Sequence, residues 1–129
     1  MEIEKQVCSI DQMEESGKLG FDITKASMTW IKYFKDDEWA LTIHHNEEEL
    51  RAVAVIPTFS VSDILEMLPK KIYDKVYEYE YVLFIVKYDY DWGIDYRCED
   101  YYCMREVHSQ NLRDALVAEL KLLKENKEI

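Results

Sequence analysis

The spacing of apolar positions along this chain switches from helical to strand-like and back. Ser9-x-x-Gln12 has capping-box spacing, so a helix starts after Ser9, with Ile10 and Met13 on one side. Gly17 and Gly20 offer left-handed stops, and Phe21 to Ser27 reads as a connection. Met28 to Phe34 is β-branched and aromatic, which predicts a strand. After the charged turn Lys35–Glu38, Trp39 to His44 alternates and predicts the return strand of a hairpin. Asn46–Glu49 is a second acidic turn, and Leu50 to Ile56 predicts a third strand. Between Pro57 and Pro69 lies a short helix capped by Ser60, with Asp63 near the positive end of its dipole. Val61, Ile64, Leu65 and Leu68 recur at helical spacing and face the core, and Pro69 ends the helix.

Val76 to Lys87 is apolar on both faces, the mark of a central strand. Asp89-Tyr90-Asp91 turns the chain. Trp92, Ile94, Tyr96 and Cys98 then alternate with Gly93, Asp95, Arg97 and Glu99, which predicts a strand with one buried face. Tyr101 to Val107 predicts a further strand, paired back through Glu99-Asp100. Asn111 caps the last helix, whose stripe is Leu112, Ala115, Leu116, Leu120 and Leu123.

This order predicts an α+β fold as a single domain over 1–129. It would be an antiparallel sheet of four to five strands with three short helices packed mainly on one face. Leu65 and Leu116 should both be core. Glu119 projects into the apolar stripe of the last helix and is the candidate buried acid. Its expected place is the edge of the packed face, or a pairing with an Arg, a Lys or a Tyr hydroxyl. Buried beside a pocket, it would have a raised pKa and would favour an enzyme.

Charge changes the picture of partners. Acidic residues number 27 against 16 basic, a net charge of −11. Such a chain is repelled by phosphate backbones and anionic lipid, so no direct nucleic-acid binding and no membrane association are expected. No apolar run approaches the ~18 residues that span a bilayer. The charged N-terminus lacks a signal-peptide core, and three cysteines fit a reducing compartment; a cytoplasmic protein is expected. Aromatics make up 13%, ten of them Tyr, a residue that suits a contact surface. Tyr88, Tyr90, Trp92, Tyr101 and Tyr102 form the candidate interaction surface.

Chemistry is sparse. Cys98 and Cys103 make a C-x4-C pair without the second pair that a zinc site needs, and read as cysteines flanking a hairpin turn. Adjacent His44 and His45 point to opposite faces of a strand and cannot easily share an ion. Asp89, Asp91 and Asp95 lack the turn glycine and distant Glu of an EF-hand. No nucleophile elbow or phosphate loop is present. No catalytic residue, cofactor or metal is expected.

Cys8-Ser9-Ile10-Asp11-Gln12, the stretch Ile56 to Lys71, Trp92-Gly93-Ile94, Asn111 to Leu116 and Lys124-Glu125-Asn126 resemble, in the same order, a family of small uncharacterised proteins. These are encoded by phages and prophages of gut anaerobic bacteria. The resemblance implies a mobile-element origin and no residues of function; the Tyr-rich stretch from Tyr73 to Tyr102 departs from the family pattern. The function expected is a non-enzymatic accessory protein acting through protein–protein contacts with an unidentified protein partner. Its sharper form is an acidic inhibitor of a host protein. The alternative is a small enzyme or ligand-binding domain with a pocket between sheet and helices.

Overall fold

The computed structural model describes residues 3–35, 37–43, 51–99 and 102–129. The chain is α+β and divides into two compact units, Met1–Asp63 and Ile64–Ile129. It carries two antiparallel sheets, of three and four strands, where a single sheet of four to five was expected. Strands pair with their sequence neighbours on the same side of the central helix, so each half closes its own sheet. His44, His45 and the turn Asn46–Glu49 lie outside the described residues, as does Leu50 at the start of the expected third strand.

In the first unit, β1 (Met28–Lys32) lies between β2 (Ala40–Ile43) and β3 (Ala54–Thr58). The third strand thus runs two residues past Ile56 and contains Pro57, paired with Thr29. Proline cannot donate to a ladder, and β3 is an edge strand, where that costs nothing. Helix α1 (Ile10–Lys18) has the expected capping box: Gln12 N–H donates to Ser9 Oγ at 3.2 Å and Ser9 N–H to Gln12 Oε1 at 2.9 Å. Gly17 lies within that helix, and Gly20 takes the positive φ of 96° beyond its end. The Cys8 carbonyl accepts both Trp30 Nε1 at 2.9 Å and Thr58 Oγ1 at 2.7 Å, which ties the segment before α1 to β1 and β3.

Helix α2 spans Val61–Met67. Ser60 caps it: Asp63 N–H donates to Ser60 Oγ at 3.1 Å, and Ser60 N–H returns to Asp63 Oδ2 at 2.9 Å. Ile64 and Leu68 are buried, but Leu65 is 40% exposed and is not core. A helix of two turns buries one narrow line of residues four apart, and Leu65 falls on its flank.

The second unit is a sheet in the order β4-β5-β6-β7, made of Lys71–Asp74, Tyr79–Lys87, Trp92–Arg97 and Cys103–Ser109. Strand β4 was not expected from the sequence. The expected strand from Val76 begins instead at Tyr79, because Asp74 Oδ1 accepts from the Val76 and Tyr77 amides at 2.8 and 3.2 Å and makes a turn there. β5 is interior, as its two apolar faces suggested. Helix α3 (Leu112–Glu125) packs on β6 and β7, with Asp114 N–H on the Asn111 cap. Ala115, Leu116, Leu120 and Leu123 are buried as the stripe requires, against Ile94 and Tyr96, which are fully buried. Tyr96 donates its hydroxyl to the Pro69 carbonyl at 2.7 Å. No helix among the described residues is long and apolar enough to cross a membrane.

Candidate functional site: an open sheet face

Antiparallel partners share a face of a sheet. Leu83 and Ile85 pair with Tyr96 and Ile94, so they share the side that α3 covers. Val82, Phe84 and Val86 pair with Arg97, Asp95 and Gly93 on the other side. There Val82 is 40% and Phe84 42% exposed, in the middle of a central strand. Two apolar faces on one interior strand normally mean two covered faces. Here α3 packs on one, and Val82 and Phe84 on the other stay part-exposed.

A groove of about 890 Å³ runs along this open face, and its floor includes Val82 and Phe84. Arg97 and Cys103 wall it on the same face, Tyr79 and Cys98 border it from strand positions whose side chains point to the α3 side, and Glu78, Glu80 and Glu99 stand along its rim. Arg97 lies over the Phe84 ring at 4.8 Å and donates Nε to Asp95 Oδ1 at 2.8 Å. The Asp95 hydrogen bond holds the guanidinium above its ordinary pKa. This pair explains how Asp95, expected on the wet face, is only 4% exposed. Glu80 is bridged to Lys71 at 3.0 Å, both well exposed, a contact worth little by itself. Beside Tyr79 lie Tyr77, stacked at 6.3 Å between ring centres, and Tyr102, tilted at 6.0 Å.

Of the aromatic residues picked out by the sequence, Tyr88, Tyr90 and Trp92 fall at one end of the β5–β6 hairpin and Tyr102 at the other end of β6. Tyr88 and Tyr90 lie at the turn after β5, which Tyr88 N–H closes on the Asp91 carbonyl at 2.8 Å. Tyr90 is 89% exposed. Trp92 begins β6 and sits under the Lys87 ammonium at 5.5 Å, on the α3 side of the sheet. Tyr102 is at the far end of β6 and β7, beside Tyr79. Tyr101 lies outside the described residues. The sequence reading missed the groove itself. Its signal was present in Val82-x-Phe84-x-Val86, the second apolar face of β5.

Cys98 is half-buried and Cys103 exposed; both are free thiols. Register sets Cys103 against Arg97, and the Cys98 amide donates to the Tyr102 carbonyl at 3.1 Å, so the two cysteines are not cross-strand partners. Asp91 and Asp95 are engaged elsewhere, Asp91 with His108 Nδ1 at 3.2 Å and Asp95 with Arg97. His108 Nε2 also meets Glu106 at 2.8 Å. The Glu106 hydrogen bond, aided by Asp91 and opposed by burial, holds the imidazole above its ordinary pKa. Gly93 has no room for a side chain: a Cβ there would meet Tyr88 Cε2 at 2.7 Å.

Glu119 corrects the expectation set for it. It is neither at the edge of the packed face nor paired. It is fully buried within α3's stripe, and neither carboxylate oxygen has a hydrogen-bond partner. Burial, with Asp95 and Glu128 adding and Arg105 opposing, pushes its pKa up to about 8. Burial and the Glu119 charge likewise push the Tyr96 hydroxyl up. Glu119 does not line the groove, which lies on the opposite face of the sheet. Its raised pKa is therefore a property of the core and does not serve the groove.

Comparison with family models, curated proteins and solved structures gave no match.

Proposed function

We propose that this chain is a non-enzymatic accessory protein of a phage or other mobile element and that it works through protein–protein contacts. The observation that carries the reading is the exposure of Val82 and Phe84 in the middle of β5, on the face opposite α3. Exposed apolar residues gathered in a groove with a polar rim mark interaction surfaces rather than ordinary solvated ones. The mobile-element origin rests on the family resemblance in the sequence. The net charge of −11 favours a basic partner, and an inhibitor that covers the nucleic-acid surface of a host protein is the form that uses this charge most directly.

The test is affinity capture from bacterial lysate with the wild-type chain and with Phe84→Glu. A protein retained by the first and lost by the second supports contact through the open face. Identical capture by both removes that face from the function.

A further inference from the structure

The groove on the open face combines an apolar floor with an acidic rim. Its floor is apolar, at Val82 and Phe84. The rim is acidic, with Glu78, Glu80 and Glu99. Among the described lining residues the cation is Arg97, whose charge is directed to Asp95 through two hydrogen bonds of 2.8 and 3.2 Å. Lys71 similarly answers Glu80. Glu78 and Glu99 are exposed and set the sign of the rim.

Each surface selects one part of a ligand. The carboxylates of the rim select a cation, and a guanidinium meets them best, because its edge donates to a carboxylate in a forked pair. The floor accepts an aliphatic or aromatic side chain beside that cation. At Val82 the backbone of β5 lies between Lys71 of β4 and Arg97 of β6, so recognition at that position runs through the side chain.

We infer that this groove binds a basic peptide segment of a partner protein, one that sets an apolar side chain against Val82 and Phe84 and an adjacent arginine on the carboxylates of Glu78 and Glu99. The inference rests on the protein-contact reading above and specifies the partner's chemistry. A second copy of this chain is disfavoured as occupant, because each copy carries a charge of −11.

Cys103 supplies the assay, since it is an exposed thiol in the groove lining while Cys8 is buried. The probe is a short acetylated peptide of alternating arginine and leucine. Its control carries glutamate for arginine. The readout is the rate of Cys103 alkylation by iodoacetamide, followed by peptide mass spectrometry. The arginine peptide should slow alkylation about tenfold at ~1 mM, and the glutamate peptide should not. The double variant Glu78→Lys with Glu99→Lys should lose the protection. Reversing Glu14 and Glu15 on the exposed side of α1 keeps the net charge of that variant and should retain protection. Circular dichroism of each variant checks that it is folded.

Two results would overturn the inference: no protection by the arginine peptide, or equal loss of protection in both double variants, which would reduce the effect to net charge. If the peptide fails while Phe84→Glu still loses a captured protein, the protein-contact reading stands and only the basic ligand falls. If the peptide protects while capture is identical for wild type and Phe84→Glu, the binding site stands and the wider reading falls.

Discussion

Arg105 Nε donates to Glu128 Oε1 at 2.6 Å just beyond the end of α3, while Glu119, buried within α3, has neither oxygen hydrogen-bonded among the described residues. Two left-handed residues build this arrangement. The register of β6 and β7 shifts between Ile94 and Tyr96, and Arg105 there has φ 54°. Such a bulge re-aims a side chain. At the other end, Lys127 has φ 59°, its amide donates to the Lys124 carbonyl at 3.1 Å, and Glu128 N–H reaches back to the Leu123 carbonyl at 2.9 Å. That is a Schellman closure of α3, and it folds Glu128 back toward β7. With Arg105 spent on Glu128, Glu119 is stable in the core chiefly as the neutral acid.

The pH dependence of stability follows. Folding raises the Glu119 pKa from 4.5 to about 8. Above 4.5 the unfolded chain gives up this proton while the folded chain holds it. Stability therefore falls as pH rises from about 4.5, and levels off above about 8. The span is on the order of 5 kcal/mol. Glu119→Gln removes the titration but leaves a buried amide, so the variant should match or trail wild type near pH 5 and exceed it at pH 8. Urea midpoints across that range check this. Parallel curves would show that Glu119 is solvated or paired.

Lys127 takes a backbone conformation that costs a residue with a Cβ about 1 kcal/mol. Lys127→Gly relieves that cost at the position where helices favour glycine, and should stabilise by about 0.5–1 kcal/mol. Arg105→Met should do the reverse. It leaves Glu128, a mostly buried side chain, without its cation and should cost about 1–3 kcal/mol. Thermal melts of both variants, with opposite signs expected, measure the two ends of the same closure.

Leu116→Ala should cost about 2–5 kcal/mol, because the side chain is fully buried in α3's stripe. Leu65→Ala should cost less than about 1 kcal/mol, because Leu65 is 40% exposed. The difference between the two midpoints is the measurement. Equal losses would mean that α2 packs through a different line of residues.

Local signals survived folding where a few neighbouring residues decide them. The caps at Ser9, Ser60 and Asn111, the buried line of α3 and the hairpin of β1 and β2 are all of that kind. What the sequence hid depends on distant pairing. Nothing local in Met28–Thr58 and Lys71–Ser109 says that these strands form two sheets. β4 was hidden because four residues after a proline carry too little alternation to stand out. The groove's floor was visible as the second apolar face of β5, but coverage of that face is a tertiary fact. Glu119 was legible as an anomaly in an apolar stripe, whereas its isolation follows from Arg105 turning to Glu128 at a bulge that no glycine announces.

The first turn of α2 yields a prediction with the opposite pH sign to that of Glu119. Asp63 Oδ2 accepts from the Ser60 amide at 2.9 Å, the Ser27 amide at 3.0 Å and the Ser27 hydroxyl at 2.7 Å. Burial pushes this carboxyl up, but the hydrogen bonds from Ser60 and Ser27 outweigh it and hold its pKa below the ordinary value. A depressed carboxylate contributes stability above its unfolded pKa, and that contribution is lost as pH falls through the folded one. Asp63→Ala removes the acceptor and strands the Ser27 and Ser60 amides. It should cost about 1–2 kcal/mol at pH 7, the usual worth of a cap, and progressively less on acidification below pH 4. Stability measured for wild type and variant at pH 7 and at pH 3 checks this. A cost that is the same at both would show that the carboxylate charge plays no part in the cap.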